Sequence, residues 1–144
     1  MHGAVARAGM DGSNNAIIVT GLVQPAGIVL DSASSRLYWA DRMAQKIQSS
    51  NLDGDDVITI ATLAGQPYGI AIVQNRLYWS IECVHVIQRS ETDGRGIISM
   101  YNGTSDIRHF TAPDLNVPSN RTNPCREENC SGVCVLTPTS YACL

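Results

Sequence analysis

The chain has 144 residues, of which 44% are hydrophobic and 16% charged, with a formal net charge of −3. Such mild acidity gives no electrostatic footprint for nucleic acid or for an anionic membrane surface. No run approaches the ~18 apolar residues of a spanning helix, and the opening MHGAVARAGM lacks the apolar core of a secretory signal, so the chain is either cytosolic or without its true N-terminus.

Strand-like runs begin early and are clearest at 27–31, 36–41, 45–52 and 57–62, separated by the turn-formers Asp31-Ser32 and Asp53-Gly54. Asp-Gly between two strands signals a two-residue type I′ hairpin. Within 36–41, RLYWAD sets Tyr38 beside Trp39. Successive strand side chains point to opposite faces, so two adjacent bulky aromatics require both faces to be buried.

The same pattern then returns. QPAGIVLD (24–31) reappears as QPYGIAIV (66–73), and RLYWAD (36–41) as RLYWSI (76–81). Asp11-Gly12, Asp53-Gly54 and Asp93-Gly94 mark one point in three units, 42 and then 40 residues apart. Between the first two units the register holds without a gap from Val5 on Ile47 to Gly27 on Gly69. The two-residue difference arises where SASSR shortens to QNR, and a length change belongs in a turn. No amphipathic helical stretch competes. Four antiparallel strands every ~40–45 residues describe a propeller blade, and blades stacked face to face bury Tyr38 and Trp39 on opposite sides. The expected fold is all-β, with two to three four-stranded blades, and an incomplete stack leaves an apolar sheet face at each end.

Four of the five cysteines, Cys125, Cys130, Cys134 and Cys143, crowd into the last twenty residues. That density suits a small disulfide-stapled module from an oxidising, extracellular compartment. Zinc is the rival reading, but there is no C-x-x-C pair and no nearby His.

Gly27-Ile28-x-Leu30-Asp31, Leu37-Tyr38-Trp39-Ala40-Asp41, Ile47 and Leu52-Asp53-Gly54 resemble the YWTD repeat, also called the low-density-lipoprotein-receptor class B repeat. In that family six repeats close a six-bladed propeller, of which this chain holds at most three. SDIRHF (105–110) resembles the strand that ends such a propeller, and NPCREENCSGVCVLTPTSYAC resembles the EGF-like module that follows it. The resemblance implies a partial propeller over 1–112, a linker over 113–122 and a truncated EGF-like module over 123–144 with four of the usual six cysteines. It further implies the pairs Cys125–Cys134 and Cys130–Cys143; spacing alone leaves three connectivities open. Tyr38, Trp39, Asp41, Tyr78 and Trp79 are the repeat's structural residues, its carboxylates acting mainly as acceptors between neighbouring strands. Two departures stand out: Asp31 becomes Val73, and Ala40-Asp41 becomes Ser80-Ile81.

Little in the sequence points to catalysis. The cluster DGDD (53–56) invites a calcium reading, but a polar hairpin tip explains it, and Arg121-Thr122-Asn123-Pro124 stands where a calcium-binding EGF module is acidic. His85 and His109 fall in expected strands, as ordinary residues or as sensors titrating near pH 5 to 8. No G-x-S-x-G, H-E-x-x-H or phosphate loop occurs, so neither an enzyme nor a cofactor is expected. Cys83 reads as a free, strand-buried thiol, with pairing to a cysteine outside this chain as the alternative. Asn102 and Asn120 head glycosylation sequons, as does Asn129 within the cysteine cluster.

The resemblance implies a fragment of a single-pass receptor at the extracellular face of the plasma membrane. Such a receptor binds protein ligands for endocytosis or for Wnt-type co-receptor signalling. The rival is a secreted nidogen-like matrix scaffold with the same propeller and EGF-like modules. Arg42, Glu82 and His85, which follow the Tyr-Trp strands, are the expected ligand-face residues, with solvated loop positions as the plainer reading.

Overall fold

A computed structural model describes residues 3–104, 107, 108 and 110, together with the backbone of 134–136 and 141–143. Every described element is a strand. Strands β1 (Gly3–Arg7) and β2 (Ala16–Leu22) form an antiparallel pair. Strands β3 (Pro25–Asp31), β4 (Arg36–Asp41), β5 (Lys46–Asn51) and β6 (Ile58–Thr62) form a four-stranded sheet in sequence order. The next four, β7 (Pro67–Val73), β8 (Arg76–Ile81), β9 (Val86–Glu91) and β10 (Ile98–Asn102), repeat that meander. A short hairpin of β11 (Cys134–Leu136) and β12 (Tyr141–Cys143) sets Cys134 opposite Cys143. Cys125, Cys130, Asn120, Asn129, His109 and the 113–122 linker lie outside the described residues.

By repeat position β1 and β2 match β5 and β6, so they are the outer half of a first blade, followed by two complete blades. Two apolar layers form between these units. In the first, Trp39 packs with Val5, Val19 and Leu22; in the second, Tyr38, Ala40 and Ile47 meet Ile70, Leu77 and Trp79 of the next blade. Tyr38 therefore points forward and Trp39 backward, and both are buried. The same inner-strand position shows what a neighbouring blade contributes: Ile70, facing the blade before it, is 7% exposed, whereas Ile28, facing only the half-blade, is 53% exposed.

Two turns depart from the sequence-based expectation. Asp53-Gly54 is not a two-residue type I′ hairpin. Asn51 O accepts from Gly54 N, Asn51 N donates to Asp55 O, and of the two Asp-Gly residues only Gly54 is left-handed (φ 89°). A type I′ turn needs positive φ at both central residues. That requirement is met instead at Gln74-Asn75 (φ 48° and 64°), where the loop is two residues shorter. This shortening also explains Val73: Asp31 caps its four-residue loop by accepting from Ala33 N and the Ser34 hydroxyl, and the shorter turn has no such groups to cap. Finally, Cys83 is neither in a strand nor buried. It is an exposed free thiol in the turn 82–85, with φ 67°, and His85 in the same turn is also left-handed (φ 54°).

Candidate functional site

The site is built from a turn that both complete blades share. Arg42–Gln45 links β4 to β5, and Glu82–His85 links β8 to β9. Each turn ends in a left-handed residue whose carbonyl accepts from the chain leaving the outer strand: Gln45 O from Leu63 N and His85 O from Gly103 N. Each also begins with a backbone N–H donated to the segment entering the inner strand, Arg42 N to Gln24 O and Glu82 N to Gln66 O. Arg42 and Glu82 thus occupy one repeat position in adjacent blades.

Their side chains meet across the blade junction. Arg42 Nε donates to Glu82 Oε2 at 2.6 Å, and its Nη1 donates to Gln24 Oε1 at 3.1 Å. Arg108 approaches the other Glu82 oxygen at 3.6 Å. Glu82 is 8% exposed, a burial that a carboxylate tolerates only when paired. The Arg108 side chain, in contrast, is 60% exposed. These groups, with Pro25, Ala26 and Tyr68, line a solvent-open cleft of ≈ 390 Å³.

Close backbone approach shapes that cleft. A Cβ at Gly27 would lie 2.5 Å from Tyr68 O, and one at Gly69 would lie 2.5 Å from Arg108 O, so successive inner segments pack backbone to backbone. The residue just before each glycine, Ala26 or Tyr68, and its repeat equivalent Arg108 are left to line the cleft. This position is Ala, Tyr and Arg in the three successive units.

Asp41 holds the strand entry in place. It is buried, and its carboxylate accepts from Val23 N and Gln24 N at 2.8 Å each and from Ala44 N at 3.3 Å. In the next blade Ile81 takes the place of Asp41, and Gly65 the place of Val23. The two changes are coupled, since a Cβ at Gly65 would lie 2.5 Å from Ile81 Cγ2. Ser80, in place of Ala40, adds a different tie by accepting from Gly69 N at 2.9 Å.

Of the residues expected on a ligand face, Arg42 and Glu82 come together in the cleft, and His85 sits at the far end of the Glu82 turn, outside its lining. Gln24, Tyr68 and Arg108 were not foreseen; the Ala26–Tyr68–Arg108 repeat equivalence was the available signal. In the DGDD cluster, Asp53 pairs with Arg7 at 2.7 Å and Asp56 with Arg36 at 2.8 Å. Two Asp-Gly tips carry carboxyls held below their ordinary range, Asp93 by hydrogen bonding to Arg95 and Asp11 by hydrogen bonding to Ser13.

Comparison with known proteins gives a consistent set of likenesses. No family model matches the chain. It is 31% identical over 160 aligned positions to the vitellogenin receptor of Solenopsis invicta, an alignment covering 96% of this chain and 8% of that receptor. Low-density lipoprotein receptor-related protein 5 of Mus musculus is 32% identical over 72 residues, covering 48% of this chain and 4% of that protein. Protein cueball of Drosophila ananassae is 44% identical over 59 residues, covering 38% and 9% respectively. The chain therefore spans under a tenth of each relative. Among solved structures, a chain of the nidogen/laminin complex superposes with a TM-score of 0.67 at 23% identity, covering 72% of this chain and 42% of that one. That likeness establishes the propeller fold.

Proposed function

The chain belongs to the class B (YWTD) repeat proteins related to the low-density lipoprotein receptor, and we propose that it is part of the extracellular protein-binding region of such a receptor. The observation that carries this reading is the junction cleft. Arg42 and, at 3.6 Å, Arg108 both pair with Glu82, and the largely exposed Arg108 side chain lines an open concavity together with Tyr68. Arg and Tyr are the residue types that most often anchor protein interfaces, and a guanidinium recognises carboxylates through paired donors. The ligand is accordingly a protein loop that presents a carboxylate to Arg108 and a flat apolar group to Tyr68.

Uptake of a bulky protein cargo is favoured over Wnt-type co-receptor signalling. The alignment to a vitellogenin receptor runs through the repeats and the cysteine-bearing end, whereas that to receptor-related protein 5 covers about half the chain. The test is performed on cells expressing the full-length gene product. Membrane-impermeant biotin should label it on intact cells, and labelled vitellogenin should be internalised. Interface anchors contribute about 2 kcal/mol or more each, so Arg108→Glu or Tyr68→Ala should weaken binding by about 30-fold. Surface protein that takes up no vitellogenin would contradict the uptake reading. Protein stripped from cells by high salt would indicate a matrix scaffold instead.

A further inference from the structure

We propose that Asn102 carries an N-linked glycan that covers the free outer edge of β10, an inference that rests on the extracellular reading above. Asn102-Gly103-Thr104 satisfies the acceptor pattern. The structure places it at the end of the outermost strand of the last complete blade, with Asn102 opposite Val86. Asn102 and Thr104 are exposed, while the Gly103 N–H between them is pinned to His85 O at 2.9 Å. The Tyr101 ring lies against Gly103: a Cβ there would fall 2.3 Å from Cε1 and 2.4 Å from the hydroxyl oxygen. A side chain at 103 would only have to push that ring aside, and the half-exposed ring offers the first sugar an apolar face.

The edge itself supplies the reason for a cover. Among the described residues, strand β10 is hydrogen-bonded on one side only, by β9, and all five of its residues are exposed, Ile98, Met100 and Tyr101 among them. An exposed apolar edge strand recruits other chains. In the preceding blade, Ala61, the counterpart of Tyr101, is buried, and the stretch matching the sequon, Thr62-Leu63-Ala64, has no acceptor. Strand β10 thus combines an acceptor with three large exposed apolar side chains, whereas the edge strand of the preceding blade, β6, exposes Ile58 alone among its large apolar residues and has no acceptor. A bulky hydrophilic glycan rooted at Asn102 would block strand addition there.

The transfer follows ordinary acceptor chemistry. Asn102 Nδ2 attacks the anomeric carbon of a lipid-linked oligosaccharide diphosphate. The new C–N bond replaces the anomeric C–O bond, the diphosphate leaves with the bonding pair, and Nδ2 loses one proton.

The test uses the full chain produced in eukaryotic cells behind a cleavable secretion signal, which delivers it to the lumen whatever its native compartment. Peptide-N-glycosidase digestion in heavy-oxygen water should convert Asn102 to labelled Asp in most of the secreted material. Thr104→Ala should abolish the label and Thr104→Ser should retain it. Native enzymatic deglycosylation of the parent protein should shift its sedimentation toward larger species, and Thr104→Ala should sediment likewise. An unlabelled Asn102 in secreted protein overturns the proposal while leaving the receptor reading, tested by surface biotinylation, intact. Occupancy with unchanged sedimentation after deglycosylation overturns the covering role.

Discussion

Replacing Asp41 by isoleucine, the residue its counterpart position already holds, separates two ways of fastening one blade to the next. In the parent the buried carboxylate accepts two backbone N–H groups at 2.8 Å, from Val23 and Gln24, in the link between β2 and β3. Hydrogen bonds to a charged group contribute about 1.5–3 kcal/mol each, so losing both costs about 3–6 kcal/mol. That is a large share of a domain stability of about 5–15 kcal/mol. Isoleucine at 41 would also crowd Val23, because the counterpart contact leaves 2.5 Å between Ile81 Cγ2 and a Cβ built on Gly65. Adding Val23→Gly to Asp41→Ile should remove the crowding and restore about 1–2 kcal/mol, within the usual range for contacting pairs. The assay is urea unfolding of the chain followed by the fluorescence of Trp39 and Trp79, with all four members of the double-mutant cycle. Trp39 lies in the layer that Asp41 fastens and should lose its signal first. Should Asp41→Ile unfold within about 1 kcal/mol of the parent, the carboxylate does not hold the link. Strict additivity would show that Ile81 and Gly65 are not a coupled exchange.

Glycines 54 and 12 share a left-handed backbone at the same repeat position, but a Cβ at Gly54 would lie 1.9 Å from Ile18 O, whereas one at Gly12 meets nothing within 4 Å. Gly54→Ala should therefore cost several kcal/mol and Gly12→Ala about 1 kcal/mol in thermal unfolding, the latter for backbone strain alone. The Asp93–Arg95 tip should keep its ion pair through endosomal acidification. The Asp93 carboxyl is held below its ordinary 3.8 by Arg95, so its contribution is fully present above that value and is lost only as pH falls through the lower, folded-state value. An NMR titration in which Asp93 protonates at or above 3.8 would count against this. Cys125 is proposed to pair with Cys134 and Cys130 with Cys143. Peptide mapping of the oxidised chain that found Cys125 bridged to Cys130 would overturn the EGF-like assignment.

The blade was legible in the sequence because its signals are local. The strand 36–41 coincides with β4, and the adjacent Tyr38 and Trp39 implied a cover on both faces, which the two apolar layers supply. The turn 82–85 was misread because Glu82-Cys83-Val84-His85 contains no Gly, Pro, Asn or Asp to mark a reversal. Its geometry is imposed by the hydrogen bonds that the matching turn 42–45 also makes, at the cost of two left-handed non-glycine residues. Superposing 82–85 on 42–45 would have placed Cys83 outside the strand. The cleft was harder to foresee because Arg108 sits 26 residues from its partner Glu82, and only blade stacking brings them together. The exchange of Asp41 and Val23 for Ile81 and Gly65 likewise depends on a contact between segments 16 residues apart.

Face-to-face stacking of the blades is tested most directly by carbene footprinting of the 144-residue chain, read residue by residue. Ile70, Tyr38 and Trp39 should be protected, each covered by a neighbouring blade or half-blade, while Ile28 and Leu30, at repeat positions equivalent to Ile70 and Ile72, should label strongly. Equal labelling of Ile28 and Ile70, or strong labelling of either Tyr38 or Trp39, would mean that the sheets do not stack as propeller blades.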